Sequence, residues 1–266
     1  MRELRGIGWW CACAIAVAAP GAAQAGPIED NSFLIEEAYN QETGVIQHIS
    51  AFMLDRESRT WVYTFTEEWP VLSRTNQASI TLPLLGDGGD TPRLGDVQLN
   101  YRYQAWDGPR LAVSPRLTAI LPTGAASPVG AGGFGVQVNL PVSVTLVEQM
   151  LVSHANLGAT LVPRAADASD NHASTWGWNG GASLIWLLGA RFNVMFEATY
   201  TRTDAVAGPD MTEAQSSLWL SPGLRGAIDI GKLQIVPGLA VPIGAGPSAG
   251  QVGVFAYLSF EHLALD

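Results

Sequence analysis

The sequence predicts an all-β fold: a transmembrane antiparallel β-barrel of about twelve strands, of the outer-membrane kind. Three observations predict it. The chain alternates apolar and polar residues with a period of two over most of its length. Its connections alternate between tight turns and longer loops. Only 14% of its 266 residues are charged while 47% are hydrophobic, too little charge to cover the surface of a soluble protein of this size.

The alternation is clearest in "GDVQLNYRYQAWDGPRLAVSPRLTAIL", from Gly95 to Leu121. Val97, Leu99, Tyr101 and Tyr103 alternate with Gln98, Asn100, Arg102 and Gln104; after a turn at Asp107-Gly108-Pro109 the pattern resumes. Successive side chains of a strand point to opposite faces, so each strand has one apolar and one polar face. Further segments of about ten residues repeat this from Gly44 to the end. They include Ala78–Leu84, Phe134–Val142, Phe192–Thr201, Leu218–Arg225, Leu233–Val241 and Val252–Phe260. Gly44–Leu54 and Ser58–Trp69 carry apolar residues on both parities. No helical period persists after Gly44.

Tight turns are expected at Asp107–Pro109, Gly189–Arg191 and Asp229–Lys232, each after an even-numbered strand. Longer loops are expected at Leu85–Leu94, Pro122–Gly132, Pro163–Thr175, Thr203–Glu213 and Pro242–Gly250. Short turns on one side and long loops on the other are the habit of outer-membrane barrels, and put both chain ends in the periplasm. The apolar face then meets lipid and the polar face lines a lumen. Pairing Trp106 with Arg110 sets Gln104 opposite Ala112, Arg102 opposite Ser114 and Asn100 opposite Arg116, all on the polar face. Pro115, Pro222 and Pro237 each remove a ladder donor, which predicts local bulges. Trp61, Trp69, Tyr103, Trp106, Trp176, Trp178, Trp186, Tyr200 and Tyr257 are expected at the two interfaces.

Before the barrel, residues 1–25 read as a signal peptide. Arg2 and Arg5 precede the apolar run Ile7–Ala19, which holds both cysteines, Cys11 and Cys13, and Ala23-Gln24-Ala25 offers a cleavage site. Residues 44–266 form the barrel. Residues 26–43, between them, are read as a periplasmic or plug segment. Asn31 or Ser32 could cap a short helix with Glu36 and Glu37 in its first turns. Docked in the lumen, Glu36, Glu37 and Tyr39 would bring acids to the barrel's arginines.

The net charge of −10, from 14 basic and 24 acidic residues, excludes a nucleic-acid partner. The expected partners are outer-membrane lipid, a small-molecule solute and the barrel-assembly machinery. The lumen-lining candidates are Gln98, Asn100, Arg102, Gln104, Arg110, Arg116, Gln137, Asn139, His154, Asn156, Glu197 and Arg225. Such a lining suits passive passage of a solute. The runner-up is a barrel without transport, acting through its outer loops.

A hydrolase would need Ser, His and an orienting acid or amide together. His48 with Ser50 and His154 with Asn156 are the candidates, with no nucleophile signature around them, so catalysis is not expected. Neither a cofactor nor a metal is expected: Asp87-Gly88-Gly89-Asp90, and Asp167 with Asp170, read as solvated loops.

Five stretches carry a resemblance: "EDNSFLIEEAYNQETG" with "GVIQHIS", then "YTFTEEWPVLSRTNQASITLPLL", "GDVQLNYRYQ" and "PRLAVSPRLTAILPTG". They resemble the MetA-pathway-of-phenol-degradation family of bacterial outer-membrane "transporter" proteins. The resemblance implies an outer-membrane barrel that passes hydrophobic or aromatic compounds, and it carries no catalytic residues. One departure is the tail Glu261–Asp266 after Phe260, where barrel proteins commonly end on an aromatic residue.

Overall fold

The computed structural model describes residues 28, 30–89, 91–124 and 130–264. The expected signal peptide, both cysteines and Asp90 lie outside them. Alternation builds the strands as the sequence predicts: β1 (Val45–Asp55), β2 (Thr60–Val71) and β3 (Ser73–Asp87). Strand β4 runs in pieces, Arg93–Leu94, Gln98–Tyr103 and Trp106–Asp107, and β5 in two, Leu111–Val113 and Arg116–Ile120. Then follow β6 (Gly135–Val147), β7 (Leu151–Ala166), β8 (His172–Gly189) and β9 (Phe192–Gly208). Strand β10 is Met211–Gly226, continued by Ile228–Ile230; β11 is Leu233–Ala240 with Ile243–Gly244; β12 is Gly253–Leu263.

Each strand pairs antiparallel with the next. Strand β12 returns to β1 over its whole length, from Val45 opposite Leu263 to Asp55 opposite Gly253. The result is a closed twelve-stranded barrel without a free edge.

Register carries the two faces around the wall. Tyr101, Leu117, Val138, Ala159 and Trp178 stand opposite one another in turn and form an apolar row on the outside. Ser79, Asn100, Thr118, Gln137 and Thr160 form the corresponding row inside. Leu99, Tyr101 and Tyr103 are 46%, 45% and 48% exposed while Asn100 and Arg102 between them are 6% and 4%. That continuous apolar exterior is the surface a bilayer would cover. No helix among the described residues is long and apolar enough to cross a membrane, and a barrel needs none.

Several expectations are corrected. The register near Asp107–Pro109 is two residues away: Arg102 faces Arg116 and Asn100 faces Thr118. The hairpin closes from Gly108 to Leu111, and Trp106 pairs with Val113, one further step out of phase, so its ring turns to the outside. The bulges expected at Pro222 and Pro237 are absent, and both pair in register, with Phe196 and Leu258. The loop expected at Thr203–Glu213 is a tight hairpin whose strands pair up to Gly208 and Met211. The loop expected at Pro163–Thr175 shrinks to the turn after Ala166, where Asp167 accepts from the N–H groups of Ser169 and Asn171 and from the Asn171 amide. Those bonds hold its carboxyl below the usual range. Tyr257 faces inward and is buried.

Candidate functional site: a lumen crossed by the N-terminal segment

The helix expected near Asn31 does not form. The described part of segment 28–43 is irregular, because its backbone groups are taken by the barrel wall instead of by one another. A chain inside a barrel must find partners for every N–H and C=O it brings from water. Here the wall supplies them from strands far away in sequence.

On β9 the Glu197 carboxylate accepts from the consecutive amides of Phe33, Leu34 and Ile35, at 3.0, 3.2 and 3.2 Å. On β7, Asn156 pairs with both backbone groups of one residue: its Oδ1 accepts from Glu36 N–H at 2.8 Å and its Nδ2 donates to Glu36 O at 2.9 Å. Ser143 of β6 accepts from Ala38 N–H at 2.7 Å, while Ser114 and Gln104 donate to Ala38 O. Arg102 donates to the carbonyls of Glu37 and Tyr39 and to Asn40 Oδ1. Arg225 of β10 donates to the carbonyls of Ile28, Asp30 and Asn31. The Asp30 carboxylate accepts from Tyr257, Ser259 and Gln47.

Two side chains of the segment are seated where the wall has glycine. A Cβ on Gly223 would stand 2.5 Å from the Phe33 ring, and one on Gly238 would also collide with it. Gly181 makes the same room for Ile35. Phe33 then packs tilted against Phe255 and Tyr257, with ring centroids 5.4 and 5.7 Å apart.

The Arg102–Arg116 pair shows why the segment and wall belong together. Like charges directly opposite across a ladder repel. The segment answers both: carbonyls and Asn40 meet Arg102, and Glu36 meets Arg116 at 2.9 Å. Glu68 stands 3.9 Å from Arg102 as well.

The other expected lining residues divide. Asn100 donates to Ser79 and accepts from Thr118, and Gln137 accepts from Arg116 and donates to Thr160. Asn139 is buried opposite Arg116, and Gln98 borders a cavity described below. Arg110 is the correction: it lies outside the strands, two-thirds exposed, paired with the equally exposed Glu148 at 2.8 Å. Its parity pointed inward, but the tight hairpin ends the strand before it.

The two candidate histidines stand on opposite faces of the wall. His48 is outward, stacked on Phe65 and with its Nε2 3.0 Å from that of His262. His154 is inward and buried, with Nδ1 2.7 Å from Ser143 Oγ. That oxygen also accepts from Ala38 N–H, so the hydroxyl is engaged in holding the segment. Among the described residues no group of three or more His, Cys, Asp or Glu is arranged for a metal. Sequence reading missed Ser114, Ser143, Gln77, Tyr257 and Ser259 as segment ligands. Polar parity placed Ser114 and Gln77 inside without revealing a partner.

Between the segment and strands β1–β4 lies a cavity of about 460 Å³. One arc of its wall is apolar, with Ile49, Ala51, Met53 and Val62; the adjoining arc carries Thr66, Ser79, Thr81, Gln98 and Asn100. Phe33, Leu34 and Glu36 of the segment and Arg116 of β5 also line it.

A closed twelve-stranded barrel, apolar outside and polar inside, defines the class: the fold of outer-membrane β-barrels. Solved structures agree. An outer membrane channel from Pseudomonas putida F1 superposes with a TM-score of 0.58 at 11% identity, covering 85% of this chain and 97% of that one. The NanC porin gives 0.54 at 9% identity over 82% and 100%, and the KdgM porin 0.54 at 6% over 80% and 98%. At such identities the likeness is one of fold. No protein-family model matches the sequence, and no curated protein does.

Proposed function

We propose that this chain is an outer-membrane channel for passive passage of a small solute, with residues 26–43 acting as a plug on its path. One observation carries the reading. The N-terminal segment crosses a polar lumen, held mainly through its own backbone by side chains spread around the wall, and a cavity remains beside it. A solute passing through must displace the segment. The bonds that hold it are individually of about 1 kcal/mol, or up to about 3 where a charge takes part, which suits reversible docking. The likeness to porins supports a channel, and the apolar arc of the cavity supports a small hydrophobic or aromatic solute, as the family resemblance implies. The lining residues are then Gln98, Asn100, Arg102, Gln104, Arg116, Gln137, Asn139, His154, Asn156, Glu197 and Arg225, none of them in a catalytic role.

Single-channel conductance of the refolded protein in a planar bilayer tests this, with and without residues 26–43. The expected outcome is small or rare openings for the full chain and larger, sustained steps for the deletion. Folded protein that conducts in neither form removes the pore. Steps of equal size in both forms keep the pore and discard the plug.

A further inference from the structure

Arg116 borders the cavity at its polar end, on β5 beyond Gln98 and Asn100, and its guanidinium is only partly used. One terminal nitrogen meets Glu36 at 2.9 Å and the other donates to Gln137 at 2.7 Å. Its Nε is buried without a partner. By contrast Thr66, Thr81, Ser79 and Asn100 of the polar arc are laced into bonds of their own: Thr66 with Thr81 at 2.9 Å, and Asn100 with Ser79 and Thr118. The wall therefore offers a ligand one charged group, Arg116, beside a neutral and largely self-paired surface.

We propose that this cavity binds a small carboxylic acid with an apolar body, whose carboxylate takes the place of Glu36 on Arg116. The body lies against Ile49, Ala51, Met53 and Val62, and the carboxylate takes the charge-assisted bond on the terminal nitrogen that Glu36 vacates. Charge decides the class. Replacing the Glu36 carboxylate by a ligand carboxylate leaves the charge beside Arg102 and Arg116 unchanged. A cation would face two guanidiniums across one ladder, and a neutral molecule would leave Glu36 in place and gain nothing from Arg116. Glu68, which borders the same cavity, is itself answered by Arg102 and by Gln77, which donates to it at 2.6 Å.

The exchange has a consequence for the segment. Glu36 is held by its side chain on Arg116 and by its peptide group on Asn156. A ligand that takes Arg116 removes the first tie, so ligand binding and segment docking oppose each other by the same factor. The inference deepens the channel reading, on which its physiological meaning rests: the solute would loosen its own plug.

The test is equilibrium binding to the full chain in detergent, using 4-phenylbutyrate and its uncharged amide. The acid is expected to bind about tenfold tighter than the amide, the scale of one charge-assisted hydrogen bond. Arg116→Gln should abolish that preference. Glu36→Gln, outside the strands, should tighten the acid several-fold by removing its competitor; a residue that merely held the structure together would act in the opposite direction. Equal binding of acid and amide, no binding of either, or weaker acid binding by Glu36→Gln would overturn the proposal. The assay needs no pore. Binding without conductance would remove the channel and keep the site, and conductance without binding would remove the site alone.

Discussion

The two sides of the lumen are made alike and used differently. Around β8–β11 the wall grips: Gly181, Gly223 and Gly238 give up side chains to admit Ile35 and Phe33, and Glu197 and Arg225 take six backbone groups of the segment between them. Glu197 and Arg225 are 0% and 1% exposed. Around β1–β4 the same alternation places Ile49, Ala51, Thr66 and Thr81 on the inner face; Phe33 and Ile49 belong to one apolar cluster, with Leu34 and Ala51 packed against it, but Thr66 and Thr81 bond to each other and not to the segment, and a cavity remains. The difference lies in side-chain size and polarity at inward positions, not in the backbone. Where the wall is small or charged it receives the segment. Where it is medium-sized and self-paired it leaves room for something else.

Crowding the gripping side should have the largest effect. In Gly238→Leu the new side chain occupies the place of the Phe33 ring. Overpacking of this kind costs about 1–3 kcal/mol or more when nothing can yield, and Phe33 can yield only by leaving. The segment should become open to limited proteolysis while the barrel keeps its heat-resistant mobility. A segment still fully protected would mean that Phe33 is not what holds it.

Glu197→Gln should come next. The amide keeps one acceptor for the three N–H groups and turns a donor toward them. The loss of charge-assisted bonding is of the order of 1.5–3 kcal/mol, which is roughly a 10- to 150-fold rise in the undocked population. Hydrogen–deuterium exchange at Phe33, Leu34 and Ile35 reads it directly. Unchanged protection there would move the anchor from Glu197 to Arg225 and Asp30.

What could be read from the sequence follows the same division. The wall was legible because a strand writes its two faces into every second residue, and Tyr101, Arg102 and Tyr103 say which is which. Register was legible only to within a turn: nothing in Asp107-Gly108-Pro109 announces that the hairpin closes from Gly108 to Leu111, two residues from the simplest pairing. The segment's conformation was misread. Its acids and its Asn31-Ser32 start fit a short helix, and locally they would make one. The bonds that override it come from Asn156, Glu197 and Arg225, more than a hundred residues away, and no local pattern marks them. Arg110 failed for a related reason, since parity assigns a face only while the strand lasts.

The smallest effect is expected on the open side, and it sharpens the comparison most. Thr66 and Thr81 share a hydrogen bond at 2.9 Å across β2 and β3, bordering the cavity without a recorded bond to the segment. Thr66→Val removes one partner of a neutral pair, worth about 0.5–1.5 kcal/mol, from a half-buried site where water can replace it. Proteolysis and exchange of the segment should not change. Binding of a ligand in the cavity should shift instead, since the polar arc gains a methyl group and frees the Thr81 hydroxyl. If Thr66→Val loosened the segment as Glu197→Gln does, the two sides would share one load, and the cavity would be a packing gap beneath the plug, not a separate place for a solute.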